Sequence, residues 1–249
     1  MTKLSVNINK IATLRNARGG NVPNLLKTAS DMERFGAQGI TVHPRPDGRH
    51  IRFQDVLDLK SVLTTEFNIE GYPSKNWMEL VLKTKPQQAT RVPDSPDAIT
   101  SNAGWDTIKH ESFLKEIILE LKRNKIRASI FIGTDSKQIE NAAKIGTDRI
   151  ELYTESYAKN FLTNKNGAIN PFVEAAKFAN QLSVGVNAGH DLNLENLNFF
   201  YARIPNLLEV SIGHALIADA LYLGLENTVQ LYLRQLSHSP ASSFLKGIE

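Results

Sequence analysis

Residues 128–153 read Ala128-Ser129-Ile130-Phe131-Ile132-Gly133-Thr134-Asp135-Ser136-Lys137-Gln138-Ile139-Glu140-Asn141-Ala142-Ala143-Lys144-Ile145-Gly146-Thr147-Asp148-Arg149-Ile150-Glu151-Leu152-Tyr153. The opening apolar run, 128–132, suits a strand buried on both faces. Asp135 or Ser136 then offers a helix cap, Ile139, Ala142 and Ala143 share one helical face, and Gly146 supplies a stop. A second strand follows over 149–153. Strand, helix and strand in such short order predict two parallel strands joined by a crossover helix.

The same alternation runs outward in both directions. Strands are expected over 4–9, 39–43, 67–70 and 89–92 before this unit, and over 183–188 and 208–213 after it. Helical spacing appears in Leu25, Leu26, Ala29, Met32 and Phe35, and over 56–65, 77–84, 113–123, 171–182, 194–203 and 215–236. Eight strand–helix units in 249 residues match a closed α/β TIM barrel, (β/α)8, in number and size. No G-x-G-x-x-G follows the first strand, which disfavours an open dinucleotide-binding sheet. The barrel is expected to fill residues 1–236 as one domain, with a frayed, serine-rich tail at 237–249. Irregular stretches are expected at 15–23, 44–54, 93–106 and 155–167. Each follows a strand and so projects from one rim, and 93–104 is a candidate lid.

Composition narrows the function. The chain has 41% hydrophobic and 22% charged residues and a formal charge of +3, with a pI near 9.0. That excess is too small to imply nucleic acid. The absence of cysteine excludes disulfides, thiolate metal sites and thiol nucleophiles. No apolar run approaches the ~20 residues of a membrane span, and the first residues enter a strand rather than a signal peptide. A cytoplasmic chain is expected.

Strand side chains alternate between two faces. Leu4, Val6 and Ile8 oppose Ser5, Asn7 and Asn9. Ile40 and Val42 oppose Thr41 and His43, Phe67 and Ile69 oppose Asn68 and Glu70, and Val186 opposes Asn187. The apolar face must meet the helices, so the polar face points along the barrel axis. His43, His190, Glu70 and Glu151 are the acid–base candidates this parity supplies. Gly189-His190-Asp191 and Gly213-His214 lie in turns that precede helices, where free backbone N–H groups suit phosphate. Arg45, Arg49 and His50 crowd the loop after the second strand, and Arg15 and Arg18 that after the first, as a second anion site. Glu209 and Arg91 could point inward too, where a structural ion pair low in the barrel is as good a reading as any functional one. No metal-ligand pattern occurs.

Five stretches together resemble the pyridoxine 5′-phosphate synthase family of vitamin B6 synthesis: residues 6–19, 40–45, 49–51, Val186-Asn187-Ala188-Gly189-His190 and Ile212-Gly213-His214-Ala215. The resemblance implies a (β/α)8 barrel with extra helices, assembled as dimers packed into octamers. It implies condensation of 1-deoxy-D-xylulose 5-phosphate with 3-amino-2-oxopropyl phosphate, without metal or organic cofactor. It further implies His43 and Glu70 as proton acceptors, His190 as proton donor and Glu151 as stabiliser of transition-state charge. Asn9, Lys10, Arg45, His50 and Thr100 would meet the first substrate. Asn7, Arg18, the backbone at Asp191, Gly213 and His214 would meet the second, with Arg18 reaching a neighbouring subunit's site. The family commonly has Asp-His where this chain has Asn9-Lys10, and often Gly at the place of Asp191. A rival reading, a Schiff-base aldolase, would need a desolvated lysine, for which Lys10 is the strand-end candidate, its parity directed away from the axis.

Overall fold

A computed structural model describes residues 1–93 and 103–237. In chain order the elements are β1 (Lys3–Asn7), α1 (Asn9–Asn16), α2 (Leu25–Arg34), β2 (Gly39–Val42), α3 (Phe53–Val62), β3 (Glu66–Gly71), α4 (Lys75–Thr84) and β4 (Gln88–Arg91). After these come α5 (Glu111–Arg123), β5 (Arg127–Ile132), α6 (Ser136–Lys144), β6 (Arg149–Tyr153), α7 (Glu155–Gln181), β7 (Gly185–Gly189), α8 (Leu197–Arg203), β8 (Leu207–Ile212), α9 (His214–Leu223) and α10 (Leu225–Gln235). The strands pair in sequence order, all parallel, and β8 returns to β1 to close the barrel. The expected TIM barrel is the fold.

The β5–α6–β6 unit forms as its residues dictate. Asp135 Oδ1 accepts the N–H groups of Lys137 and Gln138, satisfying two donors of the first turn. At the other end Gly146 adopts φ +87°, and the N–H groups of Gly146 and Thr147 close onto Ala143 and Ala142. Elsewhere Asn24 and Ser74 cap α2 and α4 in the same way.

Parity also holds. Leu4, Val6, Ile40, Val42, Phe67, Ile69, Ile130, Ile150, Leu152 and Val210 are buried beneath the helices. Ser5, Thr41, Asn68, Gln88, Thr90, Asn187 and Glu209 are equally buried but line the axis. An unpaired buried polar group costs about 1–3 kcal/mol, so these residues have to satisfy one another. They do so in a chain around the barrel. Ser5 Oγ lies 2.7 Å from Thr41 Oγ1, Asn68 donates to Thr41, Thr90 donates to Asn68, and Gln88 and Asn187 both donate to Glu209. Below this layer Lys3 and Arg127 flank Glu66, and Arg149 stands 3.8 Å from Glu209.

Several expectations give way. Arg91 does not pair with Glu209. Gln88 and Thr90 take the inward parity of β4, so Arg91 points outward, fully buried, with Nε on the Ser129 carbonyl and Nη2 on Thr147 Oγ1. Burial lowers its guanidinium to about 9. Strand one ends at Asn7, and α1 occupies Asn9–Asn16, where a strand end and part of a loop were expected. The turn is made by Asn7, whose side-chain oxygen accepts the Asn9 N–H at 3.0 Å. The stretch 155–167 is helical on both sides of Asn164, which leaves helical geometry (φ −154°, ψ 72°) and whose Oδ1 accepts the Gly167 N–H, capping a fresh helical run. The helix expected over 215–236 is two, broken at Gly224 (φ +77°). Thr100, most of the candidate lid, and the tail from 238 lie outside the described residues.

Candidate active site

The C-terminal strand ends surround a cavity of about 550 Å³. Its wall carries Asn7, Asn9 and Lys10 from the first unit, His43, Arg45, Arg49 and His50 from the second, and Glu70 and Glu151 from β3 and β6. His190, Asp191, Gly213 and His214 complete it from the last two units. Residues drawn from every quarter of the chain thus share one space, the usual position of a barrel active site. Arg18 is exposed beyond α1 and does not line this cavity.

Glu70 is held from two sides. Asn7 Nδ2 donates to its Oε2 at 3.3 Å, and the Trp77 indole N–H bonds its backbone oxygen at 3.0 Å. The indole packs against Gly71, where a Cβ would stand 2.1 Å from Nε1. Gly71 is a requirement of the site that strand alternation does not reveal.

His43 hangs from its backbone N–H, which donates to Asn9 Oδ1 at 2.9 Å. Its ring meets that of His50 edge-on at 6.1 Å. Burial, reinforced by His50, Arg45 and Arg49, depresses the His43 imidazole to about 3. Burial, Arg45 and Lys10 hold His50 at about 4, and its Nδ1 accepts the Ile51 N–H. Both rings are therefore neutral at physiological pH.

Glu151 is the opposite case. It is buried, its Oε2 has no hydrogen bond, and its Oε1 occupies the space where a Gly189 side chain would begin, 2.6 Å from an ideal Cβ. Burial, then the charges of Glu70 and Glu209, raise its carboxyl well above the usual range. Burial thus favours its protonated form, the form that can donate a hydrogen bond to developing negative charge.

His190 has φ +96°, a left-handed conformation that costs a non-glycine residue on the order of 1–3 kcal/mol. Its N–H bonds the Ser211 carbonyl, and Thr154 Oγ1, itself donating to the Gly189 carbonyl, accepts the Asp191 N–H at 3.3 Å. Tyr153 meets the imidazole edge-on at 5.3 Å and packs at a tilt against Phe131.

The phosphate-handling features divide unevenly. The turn after β7 uses its own donors. Besides the bonds just described, Asn193 Oδ1 accepts from Glu195 and Asn196, and Asn196 Oδ1 accepts from Asn193. The Asp191 N–H, expected to meet a substrate, is turned to Thr154. The N-terminus of α9 differs: its first internal bond is Ile217 N–H to Gly213, which leaves the preceding N–H groups available beside the cavity. Gly213 lies 3.1 Å, measured from an ideal Cβ, from the Asn7 side chain, so any larger residue would crowd Asn7. On the opposite wall Arg45 is buried, with Asp47 at 4.0 Å, and Arg49 bonds Asp47. Arg15 is no anion ligand: it is buried and bidentate to Asp55 at 2.7 and 2.8 Å, tying α1 to α3. Lys10, expected to face away from the axis, lines the mouth from the first turn of α1 and is exposed. Among the described residues no group of three or more His, Asp or Glu side chains converges to hold a metal ion. No helix among them is long and apolar enough to cross a membrane.

Comparison with known proteins adds the family. Residues 4–238 match the family model described as pyridoxal phosphate biosynthesis protein PdxJ. A pyridoxine 5′-phosphate synthase from Flavobacterium johnsoniae is 65% identical over 95% of this chain and 100% of its own length. One from Bacteroides fragilis is 64% identical over 93% and 98%. The chain belongs to the pyridoxine 5′-phosphate synthase family. It is an enzyme, as its close relatives are named for a synthase activity. More distant structures share the family's fold alone. Phosphoribosyl anthranilate isomerase from Thermotoga maritima superposes with a TM-score of 0.60 at 13% identity, covering 95% of this chain and 99% of its own. Thiamine phosphate pyrophosphorylase from Pyrococcus furiosus gives 0.61 at 9%, over 94% and 95%.

Proposed function

We propose that this enzyme condenses 1-deoxy-D-xylulose 5-phosphate with 3-amino-2-oxopropyl phosphate, giving pyridoxine 5′-phosphate, inorganic phosphate and water, by acid–base chemistry without a metal or organic cofactor. One observation carries the reading: a single cavity has a cationic wall of Lys10, Arg45 and Arg49 on one side and the open N-terminus of α9 on the other, with acid–base groups between them. Two phosphorylated substrates need two such anion-attracting edges.

The amine of one substrate attacks the ketone of the other, and loss of water gives an imine between the two substrates. Glu70 and His43 accept protons as the chain dehydrates and closes. His190 donates to the departing phosphate oxygen as the carbon–oxygen bond breaks. Protonated Glu151 offers a hydrogen bond to negative charge that develops deep in the cavity. Asn9, Lys10, Arg45, His50 and Thr100 hold the deoxyxylulose phosphate. Asn7, Gly213 and His214 hold the aminoketone phosphate with the loop at Asp191. Arg18, exposed at the end of α1, serves a neighbouring subunit of a homo-oligomer built from dimers, up to an octamer. A Schiff-base route through Lys10 has less support, since that side chain is exposed rather than desolvated.

The test is to incubate purified protein with both phosphates and follow pyridoxine 5′-phosphate and free phosphate together. Equal formation of the two supports the reading, and phosphate release without ring formation refutes it. Glu70→Gln should lower kcat by about 10²–10⁴-fold, the range for loss of a general base.

A further inference from the structure

Thr154 directly follows β6 and is completely buried. It stands at the cap position of α7, where a threonine hydroxyl ordinarily accepts an N–H of its own first helical turn. Here it makes no such bond. Its Oγ1 instead crosses to the turn after β7, donating to the Gly189 carbonyl at 2.8 Å and accepting the Asp191 N–H at 3.3 Å. The residue between those two partners is His190, whose φ of +96° lies in a region that residues other than glycine seldom adopt. A hydroxyl is both donor and acceptor, so one group bridges the two flanks of that strained residue. The backbone bonds beside it are longer: Thr154 N–H to Gly189 and His190 N–H to Ser211, both at 3.4 Å. The same end of α7 supports the turn a second time. Tyr157 donates to the Asn196 carbonyl at 2.7 Å, and Asn196 Nδ2 donates to the Asp191 carbonyl at 3.2 Å.

We propose that Thr154 is a positioning residue for His190, its hydroxyl bracketing the left-handed turn that brings the imidazole to the cavity wall. The inference rests on the donor role proposed above for His190. Proton donation to a departing phosphate oxygen demands a closely placed imidazole, and a misplacement of about 1 Å costs on the order of 10²-fold. Strand pairing alone does not secure that placement. The ladder of β7 ends at Gly189, opposite Tyr153 on one side and Ser211 on the other. Beyond it the turn depends on contacts such as this bracket. Thr154 itself does not line the cavity, so it acts on the reaction only through the turn it holds.

The decisive variant is Thr154→Val, which keeps the shape and removes both hydroxyl bonds. Thr154→Ser keeps the hydroxyl and loses only a methyl group. For each, kcat with both phosphates is measured in the full-length protein in two backgrounds, wild type and His190→Gln. Urea unfolding of every variant confirms that folded protein is assayed. In the wild-type background Thr154→Val should lower kcat about 10–100-fold, and Thr154→Ser should restore most of the loss. In the His190→Gln background Thr154→Val should change kcat by less than about threefold, because an absent donor cannot be misplaced. An equal factor in both backgrounds overturns the inference, as does a serine variant no better than the valine one. If His190→Gln alone leaves kcat near wild type, the donor role falls and takes the inference with it. If His190→Gln is crippled and the two backgrounds respond equally, only the bracket falls. Should Thr154→Val not fold, Thr154→Ala removes the same hydroxyl and takes its place in both backgrounds.

Discussion

Two pairs of buried groups in this barrel pull its pH-dependent stability in opposite directions, and single substitutions can separate them. His43 and His50 are held at about 3 and about 4 in the folded chain, against 6.5 when exposed. Below pH 6.5 the unfolded chain therefore binds protons that the folded chain refuses, and acidification is destabilising. Each histidine contributes a slope of about 1.4 kcal/mol per pH unit, the second somewhat less because part of its ring meets solvent. Glu151 and Glu209 act inversely. Their folded carboxyls are raised above 4.5 by burial, so between 4.5 and the raised value the folded chain holds protons the unfolded chain releases. There stability falls as pH rises. Between pH 4.5 and 6.5 the wild-type slope should thus stay below the roughly 2.7 kcal/mol per unit that two histidines alone would give. Glu151→Gln removes one falling contribution, so its stability should climb relative to wild type as pH rises. His43→Asn removes one rising contribution and should tilt the other way, by about 1.4 kcal/mol per unit. Urea unfolding at half-unit steps from pH 4.5 to 6.5, with the m-value checked for constancy, measures both tilts. If both variants run parallel to wild type within about 0.5 kcal/mol, burial does not control these protons and the reasoning fails.

Four further outcomes follow from contacts described above. Gly71→Ala should cost about 1–3 kcal/mol in urea unfolding and lower kcat by roughly 10²-fold through displacement of Glu70, because its Cβ would occupy the Trp77 indole. Asp55→Ala leaves the buried Arg15 guanidinium without its carboxylate and should destabilise by about 3–5 kcal/mol, whereas an anion-binding role for Arg15 would show mainly in KM. Arg45→Met should raise KM for 1-deoxy-D-xylulose 5-phosphate at least about tenfold, because it removes a buried guanidinium from the wall that would attract the phosphate. Mixing inactive Arg18→Ala with inactive Glu70→Gln under subunit exchange should restore part of the activity, and no recovery would place Arg18 outside a neighbour's site.

The parts of this molecule that could be read in advance are those decided within one strand or one turn. The parity of Glu70 and Glu151 follows from alternation with Phe67, Ile69, Ile150 and Leu152, and Gly213 announces itself by preceding a helix. What stayed hidden depends on partners distant in sequence. Arg15 looked like a phosphate ligand because nothing near it reveals Asp55, forty residues on. Arg91 looked like a partner of Glu209 because the parity of β4 is ambiguous when polar and charged residues adjoin; Thr90 took the inward position, bonding Asn68 of the neighbouring strand. The helix start at Asn9 was masked by a polar strand end, since Asn7 serves both as an inward strand residue and as the acceptor that turns the chain. The turn after β7 resembled an anion cradle by composition, but its asparagines are numerous enough to satisfy its own N–H groups.

A polar barrel interior is what allows the acid–base groups to differ so sharply within one cavity. An apolar axis would raise every carboxyl and depress every imidazole alike. Here Asn7 gives Glu70 a hydrogen bond, while Glu151, a strand pair away, has an oxygen with none. Two carboxyls of one cavity thereby have different surroundings, and burial raises that of Glu151, which is how environment separates groups of one residue type. On the cationic wall burial, with His50, Arg45 and Arg49, keeps His43 a weak base. Arg45 stands 4.0 Å from Asp47 and Arg49 bonds it, and a phosphate dianion brought against the two guanidiniums would offset part of the charge that depresses the imidazole. His43 would then gain basicity when substrate arrives. A site arranged in this way spends little on holding a strong base ready beside solvent, and it couples proton abstraction to the presence of the group that identifies the correct substrate.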